Sequence, residues 1–125
     1  MEKTMNKLLA DLVVEYHKLQ NYHWYVKGEN FYTAHEKLEA FYDEIRDFVD
    51  EVAEIMLMEN LKPVSTMKEF LALTDIVEGD GKDVTQEEAY AAVCRAYAYL
   101  LKEVKEVKAK ADEENGYLIS TKMDD

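Results

Sequence analysis

Apolar residues recur at three- and four-residue spacings through most of this chain, the period of amphipathic helices. Met5, Leu8, Leu9, Leu12, Tyr16, Leu19 and His23 form one such stripe and predict a first helix from about Glu2 to Lys27, with Gly28 in a C-terminal capping position. A second stripe runs through Leu38, Phe41, Tyr42, Ile45, Phe48, Val49, Val52, Ile55 and Met56. Its helix is expected to open at the capping-box spelling Thr33-Ala-His-Glu36 and to end near Met58 to Leu61, because Pro63 pushes the preceding residue out of helical geometry. Thr66-Met-Lys-Glu69 spells a second capping box and starts a short helix to about Leu73. Gly79 to Lys82 reads as a loop, and Thr85-Gln-Glu-Glu88 opens a third long helix to about Glu114. That helix carries Tyr90, Val93, Cys94, Tyr97, Leu100, Leu101, Val104 and Val107 as its apolar stripe. Asn115-Gly116 breaks it, and Tyr117 to Asp125 begins a further helical pattern. The pattern predicts an all-α fold: an antiparallel four-helix bundle with a short helix in the central crossover. Its fourth helix is cut to about ten residues, short for a helix standing alone. Either the chain is shortened there, or a neighbouring subunit covers the core.

Composition narrows this picture. At 125 residues one domain is expected, and four Gly with one Pro are too few turn formers for many short strands. A single cysteine, Cys94, excludes a disulfide framework and a Cys-based zinc site, and suits a reducing cytoplasm. The N-terminus, Met1 to Lys7, does not read as a signal peptide, because acidic and polar residues interrupt the short apolar run that follows. No stretch approaches the roughly 18 to 20 apolar residues of a membrane span. The formal net charge of −12 argues against nucleic acid as a general partner and permits cation handling.

The candidate chemistry lies in the histidines and the second helix. His17 falls at the flank of the first stripe and reads as a boundary residue, whereas His23 falls in its middle. With His35 as origin and 100° per residue, Glu39, Asp50 and Glu54 fall at about 40°, 60° and 100°, one strip beside the apolar face. His35 and Glu39 are an i, i+4 pair, as are Asp50 and Glu54, so each pair can converge on one cation. Glu39 and Asp50 lie eleven residues apart, about 16 Å along the helix, too far to meet in one chain. Both pairs are nevertheless symmetric about a point between Glu44 and Ile45. An antiparallel copy of the helix would bring His35 and Glu39 opposite the partner's Asp50 and Glu54, giving two identical sites in a two-fold dimer. His23, from the adjacent helix, could add a nitrogen. Two imidazoles, several carboxylates and no thiolate suit Fe, Mn or Zn. No Glu-x-x-His pair of the di-iron kind found within a single bundle is present. On the residues alone, a redox-inactive Zn- or Mn-binding helical oligomer and a helical scaffold protein remain open.

The runs His23-Trp24-Tyr-Val-Lys-Gly28-x-Asn30-Phe31, His35-Glu36-Lys-Leu38-Glu39 and Asp50-Glu-Val-Ala-Glu54 resemble the Dps family, the ferritin-like mini-ferritins of bacteria and archaea. The resemblance extends over nearly the whole chain. It implies a cytoplasmic ferroxidase: a dodecameric shell with an iron-oxidation site at each two-fold interface, using hydrogen peroxide more readily than oxygen to oxidise Fe(II) and storing ferric iron. It implies His23, His35 and Glu39 as ligands from one subunit and Asp50 and Glu54 from its mate. Trp24 matches the family's aromatic residue near the site, where it would intercept oxidising equivalents; core packing is the other reading. Glu44, Asp47 and Glu51 read either as acidic residues facing the stored mineral or as a solvated face. Three features depart from the family pattern. Glu39 occupies a position that is usually Asp. Only Lys3 and Lys7 stand where some members carry a lysine-rich DNA-binding arm, so direct DNA binding is not expected. The fourth helix is short, which leaves closure of the shell open.

Overall fold

The computed structural model describes all 125 residues. Helix α1 spans Glu2–Tyr25, α2 Phe31–Met58, α3 Met67–Leu73, α4 Gln86–Glu113 and α5 Tyr117–Met123. Two-residue strands, β1 (Val26–Lys27) and β2 (Val84–Thr85), pair in parallel, with Val26 opposite Val84. The all-α four-helix architecture is as expected. Helices α1 and α2 form the tightest pair, α4 lies against α1, and the seven-residue α5 packs on α4. Beyond α5, Leu12, Ile45, Phe48, Leu100 and Val104 line an apolar groove between α2 and α4.

Met5, Leu8, Leu9 and Leu19 of α1, Leu38, Ile45 and Met56 of α2, and Ala89, Val93, Leu100 and Val107 of α4 meet in one buried cluster. Two expectations about the α4 stripe are corrected: Cys94 and Leu101 are exposed. Small residues are buried instead: Ala89, Ala92, Ala96 and Ala111, of which Ala89 and Ala111 join the core cluster.

Two helix boundaries also differ. Helix α1 ends at Tyr25 rather than Lys27, because Val26 turns extended and buries itself against Val84's strand. Gly28 is therefore not the helix cap; at φ +131° it serves the turn into α2, a conformation that glycine adopts readily. Helix α2 begins at Phe31 with Asn30 preceding it, so Thr33 lies inside the first turn and forms no capping box. The other two boxes form as expected: Thr66 with Glu69, and Thr85 with Glu88, each exchanging side-chain and backbone hydrogen bonds. Asn60 and Asn115 adopt φ near +60° and close α2 and α4, with Leu61 N–H donating to the Met56 carbonyl and Gly116 N–H to that of Ala111.

One buried cluster is charged. Asp11, with no exposed surface, accepts four hydrogen bonds: from Thr74 Oγ1 (2.6 Å), Asp75 N–H (3.0 Å), Lys7 Nζ (2.6 Å) and Tyr99 Oη (3.0 Å). It thereby ties α1 to α4 and to the crossover after α3. Glu103 of α4 lies beside it, 3.7 Å from Lys7 Nζ, with its Oε2 buried and without a partner.

Candidate metal centre

His23 sits at the last turn of α1 and His35 in the second turn of α2, and the tight α1–α2 connection stacks their rings. The centroids are 3.5 Å apart and the planes 17° from parallel. Each imidazole Nδ1 donates to the other residue's backbone carbonyl, His23 to His35 at 2.6 Å and His35 to His23 at 2.7 Å. Because a carbonyl can only accept, both Nδ1 atoms carry the hydrogen. In the neutral ring that tautomer makes Nε2 the nitrogen whose lone pair is open to a cation. A ligand ring whose second nitrogen is tied to a carbonyl is oriented before any metal arrives. Phe31, one turn before His35, stacks on its ring at 5.0 Å, and Tyr42 meets His23 edge-on at 5.2 Å. His23 is buried and His35 half-buried. Placing α2's start at Phe31 is what lays the Phe31 ring over His35.

Glu39 follows His35 by one turn on α2 and is exposed, its Oε1 3.5 Å from the Tyr42 hydroxyl. Asp50 and Glu54 stand farther along the same continuous helix, both exposed. The charge of Asp50, together with a hydrogen bond between the two carboxyls, raises the pKa of Glu54 above the ordinary glutamate range. A cation placed between them removes that repulsion, which is the donor chemistry a divalent-metal site needs. The chain brings His23 and His35 together, keeps Glu39 beside them and holds the Asp50–Glu54 pair apart. No group of three or more His, Cys, Asp or Glu able to hold a metal forms within one chain. The midpoint of α2 falls between Glu44 and Ile45, the same point about which the two pairs are symmetric.

His17 is exposed and bonds Gln20 at 3.0 Å. Trp24 is half exposed, edge-on to His17 at 5.9 Å, so it does not pack in the core. Of the outward acids, Glu44 lies 3.4 Å from the Tyr97 hydroxyl and Glu51 pairs with Lys122 at 3.0 Å, while Asp47 is exposed. Sequence reasoning placed Tyr42 and Phe31 outside the site. Their positions three after Glu39 and four before His35 are the signal that would have found them.

The chain matches the ferritin-like domain family over residues 2–125. It is 40% identical over 111 residues to general stress protein 20U of Bacillus subtilis, covering 89% of this chain and 76% of that protein. It is 41% identical over 115 residues to DNA protection during starvation protein 2 of Bacillus anthracis, covering 90% of this chain and 78% of the relative. Among solved structures, a Dps protein from Bacillus brevis superposes with a TM-score of 0.92 at 32% identity, over 98% of this chain and 82% of that one. The chain belongs to the ferritin-like family and, within it, to the Dps group.

Proposed function

We propose that this protein is an iron-storing mini-ferritin that oxidises Fe(II) at sites shared between two copies of the chain. Two α2 helices pair antiparallel about their midpoints. Each site then takes His23, His35 and Glu39 from one subunit and Asp50 and Glu54 of the partner subunit. Fe(II) is the substrate. The two imidazole nitrogens accept no further proton from the backbone and offer neutral σ-donors, while the three carboxylates supply negative charge that favours Fe(III) over Fe(II). The oxidant is hydrogen peroxide, used more readily than oxygen. Each peroxide takes two electrons, one from each of two Fe(II) ions, and is reduced to water, so single-electron release of hydroxyl radical is suppressed. Trp24 stands close enough to the histidines in sequence, and open enough to solvent, to take up a stray oxidising equivalent.

Ferric product passes to the interior of a dodecameric shell, with Glu44, Asp47 and Glu51 as the acidic residues along α2 that would receive it. Glu51 does so only by giving up its pair with Lys122. Direct DNA binding is not part of this reading, because the chain carries −12 and Lys7 is already engaged by Asp11. No helix is long and apolar enough to cross a membrane, and a reducing cytoplasm would supply Fe(II) and keep Cys94 a thiol.

The observation that carries the proposal is the reciprocally bonded His23–His35 pair at one end of a carboxylate strip centred on α2. The test adds Fe(II) anaerobically to the purified protein, then peroxide, and follows ferric absorbance. The wild-type chain is expected to respond and the His23→Ala/His35→Ala variant to fall to the rate of free Fe(II). Equal rates in the two would overturn the site assignment. Binding of Zn(II) or Mn(II) with no peroxide-dependent ferric signal would make the protein a redox-inactive metal binder instead. Native mass spectrometry of the same sample tests the shell: a dimer or monomer would remove the storage claim.

A further inference from the structure

One buried side chain outside the predicted ligand set touches that set from two directions. Tyr42 lies on the inward face of α2 and is almost fully buried. Its ring meets His23 of α1 edge-on, centroids 5.2 Å apart at 78°, and is itself braced edge-on by Tyr16 at 5.5 Å and 85°. Its hydroxyl points the other way, to Oε1 of Glu39 at 3.5 Å.

The direction of that last contact follows from its partner: a carboxylate oxygen accepts, so the phenol's single proton goes to Glu39. Glu39 is an exposed glutamate with three rotatable torsions, and holding it in one place costs side-chain entropy that a fixed donor offsets.

We propose that Tyr42 is a positioning residue of the intersubunit metal centre: its ring sets the plane of His23 while its hydroxyl holds Glu39 at the same cation. This rests on the reading of His23, His35 and Glu39 as ligands. The two halves of the role separate chemically. Phenylalanine keeps the ring and removes the hydroxyl; leucine removes both.

The test titrates Co(II) into the full-length protein and reads affinity by calorimetry and by ligand-field absorbance, alongside thermal melting of the metal-free protein. Tyr42→Phe is expected to melt with the wild type yet bind Co(II) about tenfold more weakly, the low end for loss of a group that orients a metal ligand. Tyr42→Leu is expected to lose affinity further and to melt lower. In a Glu39→Ala background, which removes the acceptor, Tyr42→Phe should change nothing more, because the hydroxyl acts through that side chain. Co(II) affinity of Tyr42→Phe equal to wild type, or an undiminished effect in the Glu39→Ala background, would overturn the proposal while the ligand reading stands. If wild-type binding is indifferent to His23→Ala/His35→Ala, the ligand reading falls, and the role of Tyr42 falls with it.

Discussion

Replacing Glu103 with Gln is expected to stabilise the protein, and by an amount that grows with pH. Asp11 is the charged member of the buried pair. Burial opposes its ionisation, but hydrogen bonds from Glu103, Lys7, Thr74 and the Asp75 N–H outweigh that and hold its carboxyl below the ordinary range. Glu103 takes the opposite part. Burial, then its hydrogen bond to Asp11 and the Asp11 charge, push its pKa up to about 8, against the pull of Lys7. Its buried Oε2 has no partner as an anion, so protonation removes a charge that nothing there satisfies. A group whose folded pKa is raised keeps its proton in the native state while the unfolded chain releases it. Stability is therefore lost as pH climbs from the ordinary glutamate value of 4.5 toward about 8 and is flat above that.

With Glu103 only 11% exposed, solvent screening is weak. Assigning the whole shift to this one group gives an upper limit of about 4–5 kcal/mol, and sharing the proton with Asp11 beside the Lys7 ammonium reduces it to about 1–3 kcal/mol. Gln has the same shape, donates to Asp11 through its amide and never ionises. Melts of wild type and Glu103→Gln at one protein concentration, from pH 5 to pH 9, measure the difference. Near pH 5 the two should agree closely. By pH 8 the variant should lead by about 3–10 °C. An advantage constant across that range, or a variant less stable than wild type at pH 8, would refute the shared-proton account.

Three further outcomes follow from local geometry. Asp50→Asn removes the charge that raises Glu54, so Glu54 should titrate at lower pH in the variant, read from its side-chain carbonyl carbon by NMR; an unchanged midpoint would show that Asp50 is not the cause. Thr85→Ala should cost about 1 kcal/mol in denaturant unfolding because it breaks a formed capping box, whereas Thr33→Ala, inside the first turn of α2, should stay within about 0.5 kcal/mol of wild type. Leu38→Ala, at a fully buried site under the α1–α2 contact, should cost about 2–5 kcal/mol in the same assay.

What could be read from the chain and what could not divide along one line: whether the geometry lies within a single helix or between elements. The strip of His35, Glu39, Asp50 and Glu54 was legible because α2 runs unbroken from Phe31 to Met58, so 100° and 1.5 Å per residue hold from end to end. The same arithmetic put His23 on the inner face of α1. It could not show that the two histidines exchange Nδ1 hydrogen bonds for each other's carbonyls, because that depends on how tightly residues 26–30 turn. The tightness comes from Val26 leaving the helix to pair with Val84, fifty-eight residues away. Asp11 was missed for a related reason. A charge inside an apolar stripe looks like a boundary residue until its partners are known, and Thr74 and Asp75 lie more than sixty positions on. In α4 the error ran the other way. Cys94 and Leu101 outweigh alanine on any hydrophobic count, yet it is Ala89, Ala92 and Ala96 that are buried. The acidic excess then splits into parts with different physics: Asp11 and Glu103 lie buried beside Lys7, Glu51 is held by Lys122, and Asp50 and Glu54 repel each other in the open. Of these three, only the last is improved by a divalent cation from outside, so it is this pair, joined to the His23–His35 rings across the two-fold, and not the net charge, that suits a metal.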